Sequence, residues 1–586
     1  MEHNISGLFS EQVGALPLIA SYLNKINFAE NIDNIVGKLR LNNRRFSHGN
    51  TCFVLVLYLI FRSHAIYKVE EWVKNTSYLQ VLFPDILPEY FNDDRIADTF
   101  IALSKKGISD IFASQTMNVI EKFNLNVEQV HCDFSSFMVH GNYEGFEDED
   151  GILITYGYSK DHRPDKKQFM QEVVVSEDGG VPIATKTLDG NTSDVTRYLP
   201  IWKSLKHDIG TTDFIMVGDC KLSSNENLLG IAKGAGFFLA PLAMYSTLKE
   251  ELVDFIINQK KIPTDIVKTA KNNSANDKYA GFEIEATLYD VSTHKEYKYR
   301  KIFVHSTTLQ NTRMLGVKNR IDNALEDLRT LNANLNNKRY NSREKVDCKI
   351  SKILKKYDVN DLITYQIIEY SKIEKKKIGR GKPTANSNYE ESIENKIALI
   401  YHVDSDAMHT FKETCGYFVL ATNKPVEELS IKQAIVAYKQ EWHVERIFKR
   451  LKGSLQVLPM NLKLPRHIES MMYLLVTCVQ IFTLIDREAK ASLVAKGEKL
   501  SGIFPNKIQT ASPKTEQIIE KFENFTITYV QVEDKVVVIV PKLNTLQSKL
   551  LEITGGTPLL YEAYYIQQRL MNKTFGCIQS SERLNS

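Results

Sequence analysis

At 586 residues, with 43 % hydrophobic and 25 % charged side chains, the chain has ordinary globular composition and length for roughly three to four domains. A formal net charge of +3 and a pI near 8.2 neither favour nor exclude nucleic acid, because local patches do the binding. The seven cysteines are scattered without a CxxC pair or a matching histidine spacing, which argues against a structural zinc site and a disulfide framework and fits a reducing cytosol.

The N-terminus, MEHNISGLFSEQ, lacks the basic-then-apolar pattern of a secretion signal. Residues 1 to about 125 carry helical periodicity throughout, as in GLFSEQVGALPLIASYLNKI and DDRIADTFIALSKKGISDIFASQTMNVIEKF, with Asn92 and Asp93 where an N-cap belongs. The longest apolar stretches, 51–61 and 471–485, fall short of the ~20 residues that span a bilayer and read as buried core helices. A soluble, cytoplasmic protein is expected.

The pattern changes at Val127. VEQVHCDFSSFMVHG, ILITYGYSK, QEVVVSEDGGVPIATKTLDG and DFIMVGDC are short, β-branched runs bounded by Gly and Asp, and EDGG at 177–180 is a hairpin turn signal. Helical segments, SDVTRYLPIWKSLKHDI and SSNENLLGIAKGAG, alternate with them, which indicates an α/β domain. From about 246 to 425, two strand-rich blocks flank a charged helical stretch at 313–360. A long helix is expected from 431 to about 455, an apolar one at 466–486, and a small α/β region at the end of the chain.

Asp133 lies inside the apolar-flanked strand VHCDFSSF, where an ionised carboxylate costs desolvation energy unless something pairs with it. Asp219 ends FIMVGD, where Gly218 turns the chain out of the sheet. Strand-end carboxylates of an open α/β sheet project into one crevice, and two of them repel unless a cation sits between. Hard oxygen ligands in small number suit Mg2+ or Mn2+ rather than zinc. A third carboxylate comes from AIVAYKQEWHVERIFKRLKGSL, where Tyr438, Glu445 and Lys452 are seven apart and share one helical face. That face presents Glu445 to metal, with a phenol and a lysine placed to contact a DNA phosphate. Two strand carboxylates completed by one from a helix are what a two-metal phosphodiester site needs. Taken singly, Asp133 reads as an edge residue, Asp219 as a turn residue and Glu445 as a solvated helix charge; their combination favours the catalytic reading.

The segment from Tyr438 to Lys452 resembles the Tyr-x2-Arg-x3-Glu-x6-Lys signature of the DDE transposases of bacterial insertion sequences, and TYGYSKDHRPDKKQ, PIATKTLDGNTSD, GRGKPT and GYFVLATN are similar to one branch of that superfamily. The resemblance runs from about residue 90 to 550. It implies an α/β fold with a ribonuclease-H-like catalytic core and a β-rich insertion before the final Glu, beside the all-helical N-terminal domain that the periodicity predicts. It also implies that Asp133, Asp219 and Glu445 are catalytic and hold two Mg2+ ions, with Mn2+ as the alternative, and that Tyr438 and Lys452 position DNA. The domains expected are a helical region at 1–125 for DNA-end binding or dimerisation, core parts at 126–245 and 426–495, the insertion at 246–425 and a small C-terminal region at 496–586. One departure stands out: Glu441 occupies the signature arginine position, with Arg446 or Lys449 as candidate replacements for the missing cation.

TYGYSKDHRPDKKQ is dense in Lys and Arg with aromatics between them, as a DNA-contacting strand and loop should be. Lys160, Arg163, Lys166 and Lys167, with His162, are therefore DNA-contact candidates, against the alternative of a solvated charged loop. Arg446 and Arg380 join them; Arg380 and Lys382 in GRGKPT either clamp phosphate or simply sit in a loop. Asn191 and Asp194 read as caps of the following helix, and Cys132 and Cys220 as small core fillers. The expected function is a transposase that binds terminal inverted repeats, cuts phosphodiester bonds and joins 3′ ends to target DNA, as a homodimer or larger assembly on DNA and without a membrane. The alternatives are a nuclease without strand transfer and an inactive DNA-binding derivative.

Overall fold

Residues 5–12, ISGLFSEQ, open the chain as strand β1 (Ile5–Gln12) rather than as the first turns of a helix. Its partner lies near the far end of the chain, so the helical periodicity expected from the start of the sequence is overridden by tertiary pairing. Helices Leu16–Lys25, Phe28–Val36, His48–Phe61, Asp93–Lys106 and Ile108–Phe123 follow. Asn92 caps the fourth of these by accepting from Arg95 N at 3.0 Å, where its sequence position predicts.

The computed structural model describes residues 5–37, 46–62, 65–141, 143, 151–160, 163–261, 263, 265–269, 277–378, 389–456, 462–532 and 535–561. The chain divides into two units, Met1–Ala240 with Leu288–Tyr297 and Ala437–Ser586, and Pro241–Thr287 with Lys298–Val436.

In the first unit, β2 (Gln129–Met138), β3 (Gln168–Ser176), β4 (Pro182–Leu188), β5 (Ile215–Val217) and β6 (Phe237–Pro241) lie in the order β4–β3–β2–β5–β6. β2, β3 and β4 are antiparallel neighbours, whereas β2–β5 and β5–β6 are parallel. All nine residues of β3 are buried, as expected of a strand covered on both faces. The EDGG turn closes β3 onto β4, with Gly179 and Gly180 at φ +84° and +67° and Ser176 N donating to Val181 O at 3.0 Å. The ILITYGYSK run forms no strand; Thr155 alone bridges to Gln168.

Helix Pro465–Lys496 is the core of the first unit and is buried without interruption from 470 to 486. It is long and apolar enough to cross a membrane, yet 94 % of its most apolar window is covered by the protein itself. Its central tyrosine and glutamine, Tyr473 and Gln480, are satisfied. Gln115 donates to Gln480 Oε1 at 2.7 Å, Tyr473 donates to Gln115 Oε1 at 2.8 Å, and Gln480 donates to Pro182 O at 2.7 Å, tying the helix to Ile108–Phe123 and to the start of β4.

The second unit carries β7 (Asp265–Thr269), β8 (Asp277–Asp290) and β9 (Lys295–Ser306), then helices Thr307–Ala333 and Arg343–Tyr357. β10 (Ile363–Lys377) and β11 (Tyr389–Val403) form a separate antiparallel ribbon, and β12 (Tyr417–Thr422) pairs with β9. Val317, Ile321, Leu328, Ile350 and Leu354 of the two helices pack on Ile363, Ile367, Ile397 and Leu399 at the base of the ribbon. Back in the first unit, β13 (Thr526–Val532) pairs with both β1 and β14 (Lys535–Ile539), so the two ends of the described chain share one three-stranded sheet.

Candidate functional site

Parallel pairing of β2 with β5 sets Gln129 against Ile215 and His131 against Val217. Two residues further along come Asp133 and Asp219, near enough for the Asp219 charge to act on the Asp133 carboxyl. β5 ends at Val217, so Asp219 sits where its chain leaves the sheet, while Asp133 remains inside β2. In both carboxylates Oδ1 is the oxygen engaged by protein donors. Asp219 Oδ1 accepts from Tyr198 Oη at 2.8 Å and Lys221 N at 2.9 Å; Asp133 Oδ1 accepts from Phe134 N at 2.7 Å.

The helix expected over 431–455 is broken. Ile431–Lys439 ends before Gln440, Trp442–Lys449 begins after Glu441, and Arg450–Ser454 is a π-helical turn. Hydrogen bonds of the i to i+3 type join the pieces: Gln440 N to Ala437 O at 3.1 Å, Glu441 N to Tyr438 O at 3.2 Å and Val444 N to Glu441 O at 3.1 Å. Tyr438, Glu445 and Lys452 therefore do not lie on one straight helical face; a tightened turn precedes Glu445 and a widened one carries Lys452. The odd-numbered face of β2 runs beneath this segment. Gln129 donates to Gln440 Oε1 at 3.1 Å, the His131 and His443 rings lie 6.4 Å apart, and Lys452 Nζ stands 5.2 Å over the Phe137 ring. Asp133 and Glu445 each fall, on their own element, between the second and third of these contacts.

The electrostatics register the convergence. Burial, with repulsion from Asp219 and Asp194, pushes the Asp133 carboxyl up to about 6 against the pull of Lys160. Glu441 is pushed up to about 7 by burial and by the charges of Asp133, Asp219 and Glu445. Burial, then the charges of Glu441, Asp219 and Glu445, raise the Tyr438 phenol to about 12. Glu441 is thus a fourth carboxylate in the field of the other three. Surplus negative charge on oxygen-only donors fits a hard divalent cation. Among the described residues, however, no three His, Cys, Asp or Glu side chains are gathered closely enough to hold an ion as they stand.

Lys160 lies with the acidic residues, its Nζ 3.6 Å from Asp133 Oδ1 and 3.2 Å from Asp194 Oδ2, and donates to Phe134 O at 2.5 Å. Asp194 begins a short 3-10 turn, and its carboxylate pairs with Lys160. Arg163 is exposed and held in a two-pronged pair with Asp165, while Lys166 and Lys167 are half-buried; the neighbouring Tyr158 is 86 % exposed. Arg446 points to Asp486 in a half-buried ion pair, so it does not replace the missing cation at 441. Cys132 is buried as expected, but Cys220 is exposed and is no core filler. His162, Arg380 and Lys382 lie outside the described residues.

Two groups escaped the sequence reading. Glu172 on β3 is buried opposite Phe134 and pairs with Arg197 at 3.0 Å. Its signal, an acid inside a valine-rich strand, is the one that singled out Asp133. The other is an ion cluster in which Arg450 pairs with both Asp486 and Glu516, from segments too far apart in sequence for spacing to reveal.

The sequence matches the transposase DDE domain over residues 133–481 and a domain of unknown function, DUF4277, over residues 8–117. No curated protein matches it. Among solved structures it is similar to a piggyBac transposase in a synaptic complex with hairpin DNA, at 10 % identity and TM-score 0.34, covering 95 % of this chain and 84 % of that one. It is also similar to the Mos1 transposase in a paired-end complex with the left transposon end, at 11 % identity and TM-score 0.14, covering 37 % of this chain and 63 % of that one. TM-scores this low establish no shared geometry. The transposase match, in contrast, begins at Asp133, spans Asp219 and Glu445 and takes in more than half of the sequence. This chain belongs to the transposase DDE domain family.

Proposed function

We propose that the chain cuts DNA at the terminal inverted repeats of its own element and joins the freed 3′ ends to target DNA, with Asp133, Asp219 and Glu445 as the ligands of divalent magnesium or manganese. The observation that carries this reading is the convergence of Asp133 in β2, Asp219 just past the end of β5 and Glu445, whose charges all act on Glu441. The five-strand order β4–β3–β2–β5–β6, three antiparallel strands followed by two parallel ones, supports a ribonuclease-H-like core. Assignment of Pro241–Thr287 and Lys298–Val436 to a second unit supports an insertion between Asp219 and Glu445.

Bound at the three carboxylates, two such ions would activate the attacking water or 3′-hydroxyl and stabilise the leaving oxygen. The chain's own groups prepare that place. Tyr198 Oη and the Lys221 amide hold Asp219 by one oxygen, and the Phe134 amide holds Asp133 in the same way. Lys160 offsets part of the charge that Asp133 and Asp194 accumulate. Tyr438, kept as a neutral phenol by its surroundings, serves as a hydrogen-bond donor to a DNA phosphate. Lys452 contributes a positive charge beside it, and Arg163, Lys166 and Lys167 extend a contact surface toward the exposed Tyr156 and Tyr158. Synapsis of two ends calls for at least two copies on DNA.

A strand-transfer assay tests the reading, using a duplex built from inverted repeats flanking the gene, supercoiled target DNA and Mg2+. Joined product supports it. Cutting without joining makes the protein a nuclease, and binding without cutting makes it an inactive DNA-binding derivative.

A further inference from the structure

Past Glu369 and Ile397 the β10–β11 ribbon leaves the helical hairpin that covers its base, and its apolar side chains stand open. Ile373 is 59 % and Ile393 72 % exposed, and the two sit directly opposite each other. Two strands with uncovered faces and edges are marginal in water, and an open edge is a template for another strand. The order of side chains along β10 indicates which strand fits. Lys372 and Glu374 flank Ile373, and Ser371 and Lys375 flank those. A second β10 laid antiparallel about a two-fold axis through Ile373 sets Lys372 opposite the second copy's Glu374, and Glu374 opposite its Lys372. Ser371 falls opposite its Lys375, so no like charges meet across these five levels. Ile373 meets its counterpart, and with Ile393 on either side a row of four isoleucines crosses four strands on one face.

β11 lacks this self-complementarity. About Ile393 the flanking pairs are Ser392 with Glu394 and Glu391 with Asn395, none of them opposite in charge. Within one copy, Lys372 Nζ is 3.7 Å from Glu374 Oε1 and Lys396 Nζ 3.4 Å from the same oxygen. Exposed pairs of this kind contribute little, so exchanging partners across the axis costs little.

We propose that the outer edge of β10 is a self-association surface, through which two copies of this chain join by antiparallel pairing centred on Ile373 into a four-stranded sheet. The pairing is independent of the carboxylate chemistry. Ile373→Cys in the full chain tests it, because on-axis Cα atoms of an antiparallel pair lie about 4.5–5.5 Å apart, within disulfide range. Tyr370→Cys places its sulfur about 20 Å from the counterpart, six levels away. Under mild oxidation Ile373→Cys is expected to give a linked species of twice 67.0 kDa, whereas Tyr370→Cys and the unaltered chain, with its exposed Cys220 and Cys348, are not.

In sedimentation, Lys372→Glu is expected to weaken association about tenfold or more, and Lys372→Glu with Glu374→Lys to restore it. Equal linking by Tyr370→Cys, no linking by Ile373→Cys, a chain that sediments as a monomer at every concentration, or a Lys372→Glu variant that associates like the parent overturns the proposal. Asp219→Asn combined with Ile373→Cys is expected to link as Ile373→Cys does, so failure of the cutting-and-joining reading and failure of this one are told apart.

Discussion

Asp133 and Asp219 each lie two residues past the paired His131 and Val217, Asp133 inside β2 and Asp219 just beyond the end of β5, where its charge acts on Asp133. Strands that close keep two carboxylates in mutual repulsion, offset in part by Lys160. Removing either charge therefore relieves the fold while it removes a metal ligand. Asp133→Asn and Asp219→Asn are each expected to lower Mg2+-dependent cleavage by 10^2–10^3-fold or more, on the order of losing one electrostatic stabiliser, with Tm unchanged or higher. Mg2+ is expected to raise the Tm of the parent protein and not of either variant. Cleavage assays and thermal melts with and without Mg2+ check both, and a variant that melts well below the parent would show that the aspartate's role is structural.

Glu441 and Asp133 give the site a pH dependence whose sign is fixed. Both carboxyls are raised in the folded chain, to about 7 and about 6, so the folded state holds its protons at a pH where the unfolded chain has released them. Their contribution to stability is complete at pH values below the ordinary carboxylate range and is lost as pH rises through 6 and 7. Without metal, the melting temperature is expected to fall over that window, and Glu441→Gln to flatten the fall. Added Mg2+ competes with those protons, so its stabilising effect is expected to grow from pH 6 to pH 8. Melts across that range, with and without Mg2+, measure each part.

Two buried imidazoles act in the opposite direction. Burial holds His131 down at about 3 and His443 at about 4. Their contribution is full above pH 6.5 and is lost as pH falls through 4 and then 3. His131→Gln is expected to shift acid unfolding to lower pH, read by circular dichroism. Gly180 packs against His443: a Cβ there would lie 2.5 Å from His443 Nδ1, on backbone at φ +67°. Gly180→Ala is expected to cost about 1–3 kcal/mol in urea unfolding.

The residues that read clearly in the sequence are those whose signal is local. Asp133 and Glu172 announce themselves as acids inside apolar strands, EDGG as a turn, and Asn92 as a cap. Misreadings came where distant contacts decide. β1 carries a helix-like pattern, yet it pairs with β13 about 520 positions later, as in the register of Gln12 with Thr526. The break at Gln440–Glu441 follows a segment whose apolar spacing is continuous, because the bond of Gln440 to Gln129 on β2, not the local sequence, accompanies the tightened turn. Arg446 reads as a cation near DNA until Asp486, forty residues on, is placed beside it.

That same Asp486 gathers partners from three segments, one of them the helix that bears Glu445. It is 4 % exposed. Its Oδ1 accepts from Thr515 N at 2.7 Å and Thr515 Oγ1 at 2.9 Å; its Oδ2 accepts from Arg446 and, at 2.9 Å, from Arg450 Nη2. Arg450 in turn makes a two-pronged pair with Glu516, at 2.9 and 2.8 Å. Helix Pro465–Lys496 thereby clamps the far end of the segment that carries Glu445. Asp486→Ala would leave two half-buried or buried guanidinium groups with a single carboxylate, Glu516, and is expected to cost about 3–5 kcal/mol. Asp486→Asn keeps the oxygen toward Thr515 and loses the charge toward the arginines, so it is expected to fall between parent and alanine variant in urea unfolding. If Glu445 is positioned through this clamp, Mg2+-dependent cleavage by the asparagine variant drops at temperatures where the protein is still folded. A variant with full activity up to its own melting transition would confine Asp486 to stability alone.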